Sequence, residues 1–232
     1  MHDPDVRWSM LCALFKAHPW HGVSIGGEAP DRLTAYIEMV PADSVKYELD
    51  KDSGLLRIDR PQRYSNVCPV LYGFVPQTYC GDVFAAHCAE FETRAPLQGD
   101  GDPLDICVLT ERTINQGDIL LRAIPIGGLR MLDGNDCDDK IIAVLDGDPS
   151  YGQWRDVGDC PTPLLDRLRH YFLTYKQSPD QKRRDTEITR VYGRDEAHDV
   201  IRHCQQDYLG AFADVASVFG RLIASKDLLP PE

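Results

Sequence analysis

Hydrophobic and polar residues alternate along several short stretches of this 232-residue chain, and the alternation predicts strands. Thr34 to Met39 sends Ala35, Ile37 and Met39 to one face and Tyr36 and Glu38 to the other. Lys46 to Asp50 puts Lys46, Glu48 and Asp50 side by side, Lys51-Asp52-Ser53-Gly54 turns, and Leu55 to Asp59 returns as the second arm of a hairpin. Further strands are expected at Ile106 to Leu109, Ile119 to Ile126, Ile141 to Val144 and Glu187 to Tyr192. Towards the C-terminal end the period becomes helical. Thr162 reads as a cap with Pro163 at the first helical position, followed by Leu164, Leu165, Leu168, Phe172 and Tyr175 on one face. A second helix follows Asp195, with Ala197, Val200, Ile201, Cys204, Tyr208 and Phe212. The last residues, Leu229 to Glu232, are expected to fray. The pattern is that of a mainly β protein with added α, long enough for one domain with a sizeable core.

One polar stretch stands apart from this periodicity. Asp100-Gly101-Asp102-Pro103-Leu104-Asp105 packs three carboxylates into six residues and runs straight into the apolar strand at Ile106. Carboxylates so crowded either hold protons at raised pKa or bind divalent cations. Taken alone, the stretch is equally an acidic surface turn, because Asp, Gly and Pro are turn residues. The chain carries its own control in Asp146-Gly147-Asp148-Pro149-Ser150-Tyr151, which repeats the first four letters without the third carboxylate or the apolar anchor. That second copy reads as a surface turn, so the information lies in the full DGDPLD string. An EF-hand calcium loop does not fit the first copy, since Leu104 and Asp105 stand where that loop needs an acid or Asn and then Gly.

Charge and cysteine usage narrow the function. A formal net charge of -12 argues against nucleic acid or an anionic membrane as partner. It does not exclude an anionic substrate, because cations bound among the acids reverse the local sign of the field. A metal-dependent phosphodiesterase would need a basic rim, and the one basic run is Lys182-Arg183-Arg184. An OB module binding oligonucleotide would want aromatic and basic residues on the barrel face, where this chain has carboxylates. No segment reaches the length of a bilayer span, and Met10 to Phe15, behind Asp3 and Asp5, lacks the basic start of a secretory signal. The eight cysteines form no CxxC pair and are expected to be reduced thiols, Cys107 a small core residue, in a cytoplasmic protein.

Beyond DGDPLD, charged and aromatic residues follow in a fixed order: Glu38, Lys46, Glu48, Arg60, Tyr72, the Asp100 to Asp105 loop, Asp133, Asp138, Lys140, Tyr175 and Lys176. With the strings Lys46-Tyr47-Glu48-Leu49-Asp50-Lys51, Asp59-Arg60, Tyr72-Gly73, Asp138-x-Lys140 and His170-Tyr171-Phe172, this order resembles the family I soluble inorganic pyrophosphatases over about residues 34–192. The pieces His18-Pro19-Trp20-His21-Gly22, Pro41-Ala42-Asp43-Ser44-Val45 and Gln77-Thr78-Tyr79-Cys80-Gly81-Asp82 are similar to its chlamydial-type branch. Two departures from the commoner bacterial pattern stand out. Cys68 replaces a Tyr that lines the phosphate site, so that contact should be missing or replaced, and the loop from Gln77 to Gly99 is long.

The resemblance implies an OB-type five-stranded β-barrel with flanking helices, spanning residues 1–232 as one domain with an N-terminal extension and a C-terminal helix. It implies Mg²⁺-dependent hydrolysis of pyrophosphate to two orthophosphates by a metal-activated water, and a homo-oligomer. Asp100, Asp105 and Asp138 would hold one Mg²⁺, Asp105 would share a second, and Asp133 with Asp138 would serve a third. Glu48 would approach a further ion that enters with substrate, with Glu38 behind it. Asp102 would accept the proton of the attacking water. Lys46, Arg60, Lys140 and Lys176 would neutralise the phosphates, and Tyr72 and Tyr175 would donate hydrogen bonds to them.

Overall fold

The computed structural model describes residues 17–92, 96–178, 180 and 186–224, with side chains of the last helix described to Phe212. In chain order the strands are β1 Leu33–Met39, β2 Val45–Leu49, β3 Leu56–Pro61, β4 Leu71–Phe74, β5 Gln98–Gly99, β6 Asp105–Leu109, β7 Ile119–Asp133, β8 Asp136–Cys137, β9 Lys140–Leu145 and β10 Thr186–Gly193. The helices are α1 Asp82–Ala89, α2 Thr162–Thr174 and α3 Arg194–Ala224. Strands β1, β4, β6, β9 and β7 hydrogen-bond in that order, and β7 returns to β1, closing a ring of five strands. Only β6 and β9 in this ring run parallel; the others are antiparallel. A separate two-stranded ribbon, β2 with β3, forms the expected hairpin, and β10 extends the sheet along β7.

Both faces of β4, β6 and β9 are buried, which is why they read as nearly continuous apolar runs. Ile106 and Val108 of β6 and Ile141 and Ala143 of β9 join one cluster with Phe84 of α1 and Val200 and Ile201 of α3. Their neighbours Cys107, Leu109, Ile142 and Val144 join a second cluster with Leu168 and Phe172 of α2. Burying a Leu, Ile or Phe side chain fully is worth about 1.5–3 kcal/mol, so the helices are held mainly by these contacts. No described helix is long and apolar enough to cross a membrane. The seven described cysteines are buried free thiols. The expectations for residues 1–16, Cys12 among them, and for C-terminal fraying lie outside the described residues.

Four sequence expectations need correction. The strand expected to end at Ile126 continues to Asp133, because Gly127-Gly128 is no break: a Cβ on Gly128 would come within 2.3 Å of the Tyr192 ring of β10. The stretch from Asp133 to Asp138 is therefore a tight β7–β8 reversal, with Asp133 paired to Asp136. Thr162 is the first residue of α2, and Pro161 is its cap. The 77–99 segment contains α1, whose N-terminal backbone donors at Gly81, Val83 and Phe84 bond the Asp207 carboxylate of α3 at 2.9–3.1 Å. Finally, Asp148 is not a solvated turn acid. It is 6 % exposed and accepts hydrogen bonds from Thr110 Oγ1 and from the backbone of Glu111, Ser150 and Tyr151. The Asp148 side chain clasps two loops together, while Gly147 and Pro149 on either side of it are exposed.

Candidate active site

Strand register brings the acids and cations together. Lys140 lies opposite Asp105 in the parallel β6–β9 pair, so its Nζ is ion-paired to both Asp105 and Asp138. Tyr72 of β4 donates from its hydroxyl to Asp105 Oδ2 at 2.6 Å. On the ribbon, Lys46 sits across from Arg60, and its Nζ lies 3.1 Å from Glu48 and 3.5 Å from Asp59. Tyr175 caps α2, with the Arg60 guanidinium 5.9 Å from its ring centroid, and Lys176 Nζ meets Asp133 at 2.5 Å. Glu38 at the end of β1 is buried and accepts the Leu49 backbone N–H at 2.7 Å, which ties the ribbon to the barrel. One cavity of about 340 Å³ is lined by all these residues together with Asp100 and Asp102. Every site residue expected from the sequence faces it.

The apolar anchor expected behind the DGDPLD carboxylates is in place. Leu104 is fully buried; its N–H bonds Thr78 Oγ1 at 2.9 Å and its carbonyl accepts from Val75 at 2.9 Å. The loop turns through Gly101 at φ +76°, a left-handed conformation that glycine adopts without strain. Cys80 holds the bend from the other side, donating to Asp102 O at 2.8 Å and accepting from Gly101 N at 3.1 Å. The loop is thus fixed at both ends, and Asp100, Asp102 and Asp105 reach the cavity from a rigid frame.

The electrostatics are those of a site short of positive charge. Burial, with Asp138 and Asp105 beside it and Lys140 opposing, pushes the Asp100 carboxyl up to about 8. Burial likewise raises Asp138, against the pull of Lys140. Glu38 is pushed up to about 8 by burial and by Asp105. Among the described residues no three carboxylate, imidazole or thiol groups converge as a finished metal cage, and Lys140 stands between Asp105 and Asp138. The donor set nonetheless suits hard divalent cations: it is all carboxylate oxygen, and burial together with neighbouring carboxylates holds two of its members, Asp100 and Asp138, above their ordinary range.

Three charged residues of the cavity carry no role in the sequence reading. Lys51, at the ribbon turn, is ion-paired to Asp102, and its carbonyl contacts His18 Nε2 at 3.0 Å. Asp59 pairs with Arg60, and Asp136 faces the cavity from β8. Behind the wall, Arg130 is fully buried between the rings of Phe91 and Tyr192, with Nε 2.9 Å from Asp139 and Nη2 3.1 Å from Glu196 of α3. Asp139 lies between Asp138 and Lys140 in sequence, so this pair fixes the backbone that presents both. A lone Arg inside the apolar run Leu129-Arg130-Met131 was the available signal. Cys68, by contrast, is in the core, its thiol 3.5 Å from Val70 O, and is not on the cavity wall.

A small closed barrel with acids and cations interleaved in one cavity defines a hydrolase of small phosphate compounds rather than a polymer-binding module. The comparisons make this specific. The profile of the inorganic pyrophosphatase family matches residues 35–209. The chain is 52 % identical over 200 residues to the inorganic pyrophosphatase of Chlamydia trachomatis, covering 84 % of this chain and 96 % of that protein. It is 35 % identical over 196 residues to a soluble inorganic pyrophosphatase of Oryza sativa, covering 84 % and 81 %. The crystal structure of inorganic pyrophosphatase from Thermus thermophilus superposes with a TM-score of 0.69 at 28 % identity, covering 83 % of this chain and 99 % of that one. The chain belongs to the inorganic pyrophosphatase family, and its five-stranded ring is the OB-like fold of that family.

Proposed function

We propose that this chain hydrolyses inorganic pyrophosphate to two orthophosphates at the carboxylate-lined cavity, with Mg²⁺ as the cation. The observation that carries this is the convergence of Asp100, Asp102, Asp105, Asp133 and Asp138 with Lys46, Arg60, Lys140 and Lys176 in one cavity of about 340 Å³, of a size for a small polyanion. Asp100, Asp105, Asp133, Asp138 and Glu48 would hold the cations, and Glu38 supports them through its bond to Leu49. Bound Mg²⁺ neutralises the acids, polarises phosphoryl oxygens and lowers the pKa of water.

The chain's own groups do the rest. Asp102, whose side chain is 42 % exposed, accepts the proton of the attacking water. Lys46, Arg60, Lys140 and Lys176 balance the charge on the phosphates as the bridging oxygen leaves, Arg60 through the fork geometry of its guanidinium. Tyr72 and Tyr175 orient the phosphates by hydrogen bonding, and Tyr72 is already aimed at Asp105. Residues 1–232 are read as one domain of a homo-oligomer, the assembly resting on the family resemblance alone. The buried free thiols support residence in the reducing cytoplasm.

Phosphate release from pyrophosphate, set against release from a nucleoside monophosphate ester in the same Mg²⁺ buffer, tests the substrate assignment. Rapid release from pyrophosphate with little from the ester is expected. Preference for the ester would overturn the proposal in favour of a phosphomonoesterase-type site.

A further inference from the structure

Away from the cavity, α1 and α3 bring two histidines face to face. His87 of α1 is 8 % exposed, and its ring centroid lies 4.6 Å from that of His203 on α3, the planes tilted by 38°. Among the described residues His87 Nε2 and His203 Nδ1, both shielded from solvent, find no hydrogen-bond partner. A buried polar nitrogen without a partner is costly, and two within one contact are unusual in a folded core. The other nitrogen of His87, Nδ1, faces Glu90 Oε2 at 4.0 Å, which leaves Nε2 as the end directed inward.

We propose that His87 and His203 form a second metal site that takes a late first-row divalent cation, Zn²⁺ being the natural probe, through the two unpartnered imidazole nitrogens. Imidazole nitrogen suits Zn²⁺, Ni²⁺ and Cu²⁺, whereas Mg²⁺ takes carboxylate and water oxygen, so the two sites select different ions. Two protein ligands leave the remaining coordination positions to water. Burial, His203 and Arg130 lower the His87 pKa, so the ring is neutral and can ligate near pH 7. The Arg130 cation opposes a metal, but it is paired with Asp139 and Glu196, while Glu90 and Asp199 add negative charge on the His87 side. The site shares no residue with the carboxylate cavity. Its effect would be to clip α1 onto α3, which also hold each other through Asp207.

The test uses the full chain in excess Mg²⁺, which occupies the carboxylates, with Zn²⁺ titrated against a chromophoric chelator. The wild type should take up one equivalent more Zn²⁺ than either His87→Gln or His203→Gln, and Zn²⁺ should raise the melting temperature of the wild type but not of the variants. Equal uptake by all three proteins would overturn the proposal, and a bridging water would then be the partner of the two rings. Should neither variant fold, the wild type still decides: imidazole ¹⁵N resonances of His87 and His203 must shift with Zn²⁺, and unshifted resonances would refute the site.

Discussion

Asp102→Asn and Asp148→Asn make the same chemical change within the same four letters, Asp-Gly-Asp-Pro, and should fail in opposite ways. At Asp148, Oδ2 accepts from Thr110 Oγ1 at 2.7 Å and Glu111 N at 2.9 Å, and Oδ1 from Ser150 N at 2.9 Å and Tyr151 N at 2.8 Å. An asparagine keeps one acceptor oxygen and turns an amide N–H₂ towards the other two donors. Two part-buried donors left without an acceptor cost up to about 1–3 kcal/mol each, and because Glu111 and Ser150 are exposed, water meets part of that cost, so a loss of roughly 2–4 kcal/mol is expected. For a chain of this length that lowers Tm by roughly 5–15 °C, while turnover should stay within about a factor of two. Asp102 instead has a half-exposed side chain ion-paired to Lys51, while its backbone N–H bonds Asp100 Oδ1 at 3.0 Å. Its loss should leave stability within about 1 kcal/mol, yet slow turnover by roughly two to four powers of ten if it accepts the proton. Urea unfolding and steady-state phosphate release on the two purified variants give both numbers. The pH dependence adds a check. Burial pushes the Asp148 carboxyl up, but the four hydrogen bonds outweigh it and hold the carboxyl below its ordinary range. Its contribution is therefore present above the unfolded pKa near 4 and lost as pH falls through the lower folded value, so the gap between wild type and variant should close in acid. An Asp148→Asn protein as stable as wild type at pH 7, or an Asp102→Asn protein with normal turnover, would refute the reasoning.

Three further outcomes follow from the same geometry. In chelator, stability should fall from about pH 5 to 8, because Asp100 and Glu38 hold protons in the folded state up to about 8 that the unfolded chain releases near 4. The slope is bounded at about 1.4 kcal/mol per pH unit for each group, and a flat or rising urea midpoint over that window would contradict it. Saturating Mg²⁺ should raise Tm and flatten that slope, by about 2.7 kcal/mol at a hundredfold excess over Kd; a thermal scan without a shift would mean that the acids do not act together. Arg130→Met leaves the fully buried Asp139 carboxylate without its cation and should cost about 3–5 kcal/mol, with Asp139→Asn recovering part of the loss in the double variant; strict additivity in urea unfolding would show that the pair is not coupled.

What the sequence made legible follows the physics of each element. The ribbon and β1 alternate cleanly and were read to within a residue or two. Strand β4, Leu71–Phe74, is apolar throughout and shows no period, and β7 beyond Ile126 was hidden by two glycines whose missing side chains make room for Tyr192. Helix α1 escaped because its stability comes from contacts distant in sequence: Asp207 caps it from α3, and Phe84, His87 and Cys88 are buried on it. The cavity acids were readable because DGDPLD couples carboxylates to an apolar anchor, and Leu104 is that anchor. Lys51 and Asp136 each sit among other charged turn residues, so no local pattern separated them from solvent-facing neighbours. Asp148 was misjudged for a related reason: its partners, Thr110 and Glu111, lie far away in the chain.

The most direct measurement of the central claim is initial-rate phosphate release from pyrophosphate by the wild-type chain as Mg²⁺ is titrated and then removed with excess chelator. If the converging acids work through divalent cations, release is fast in millimolar Mg²⁺ and falls to background in chelator. Equal rates with and without Mg²⁺ would contradict the account.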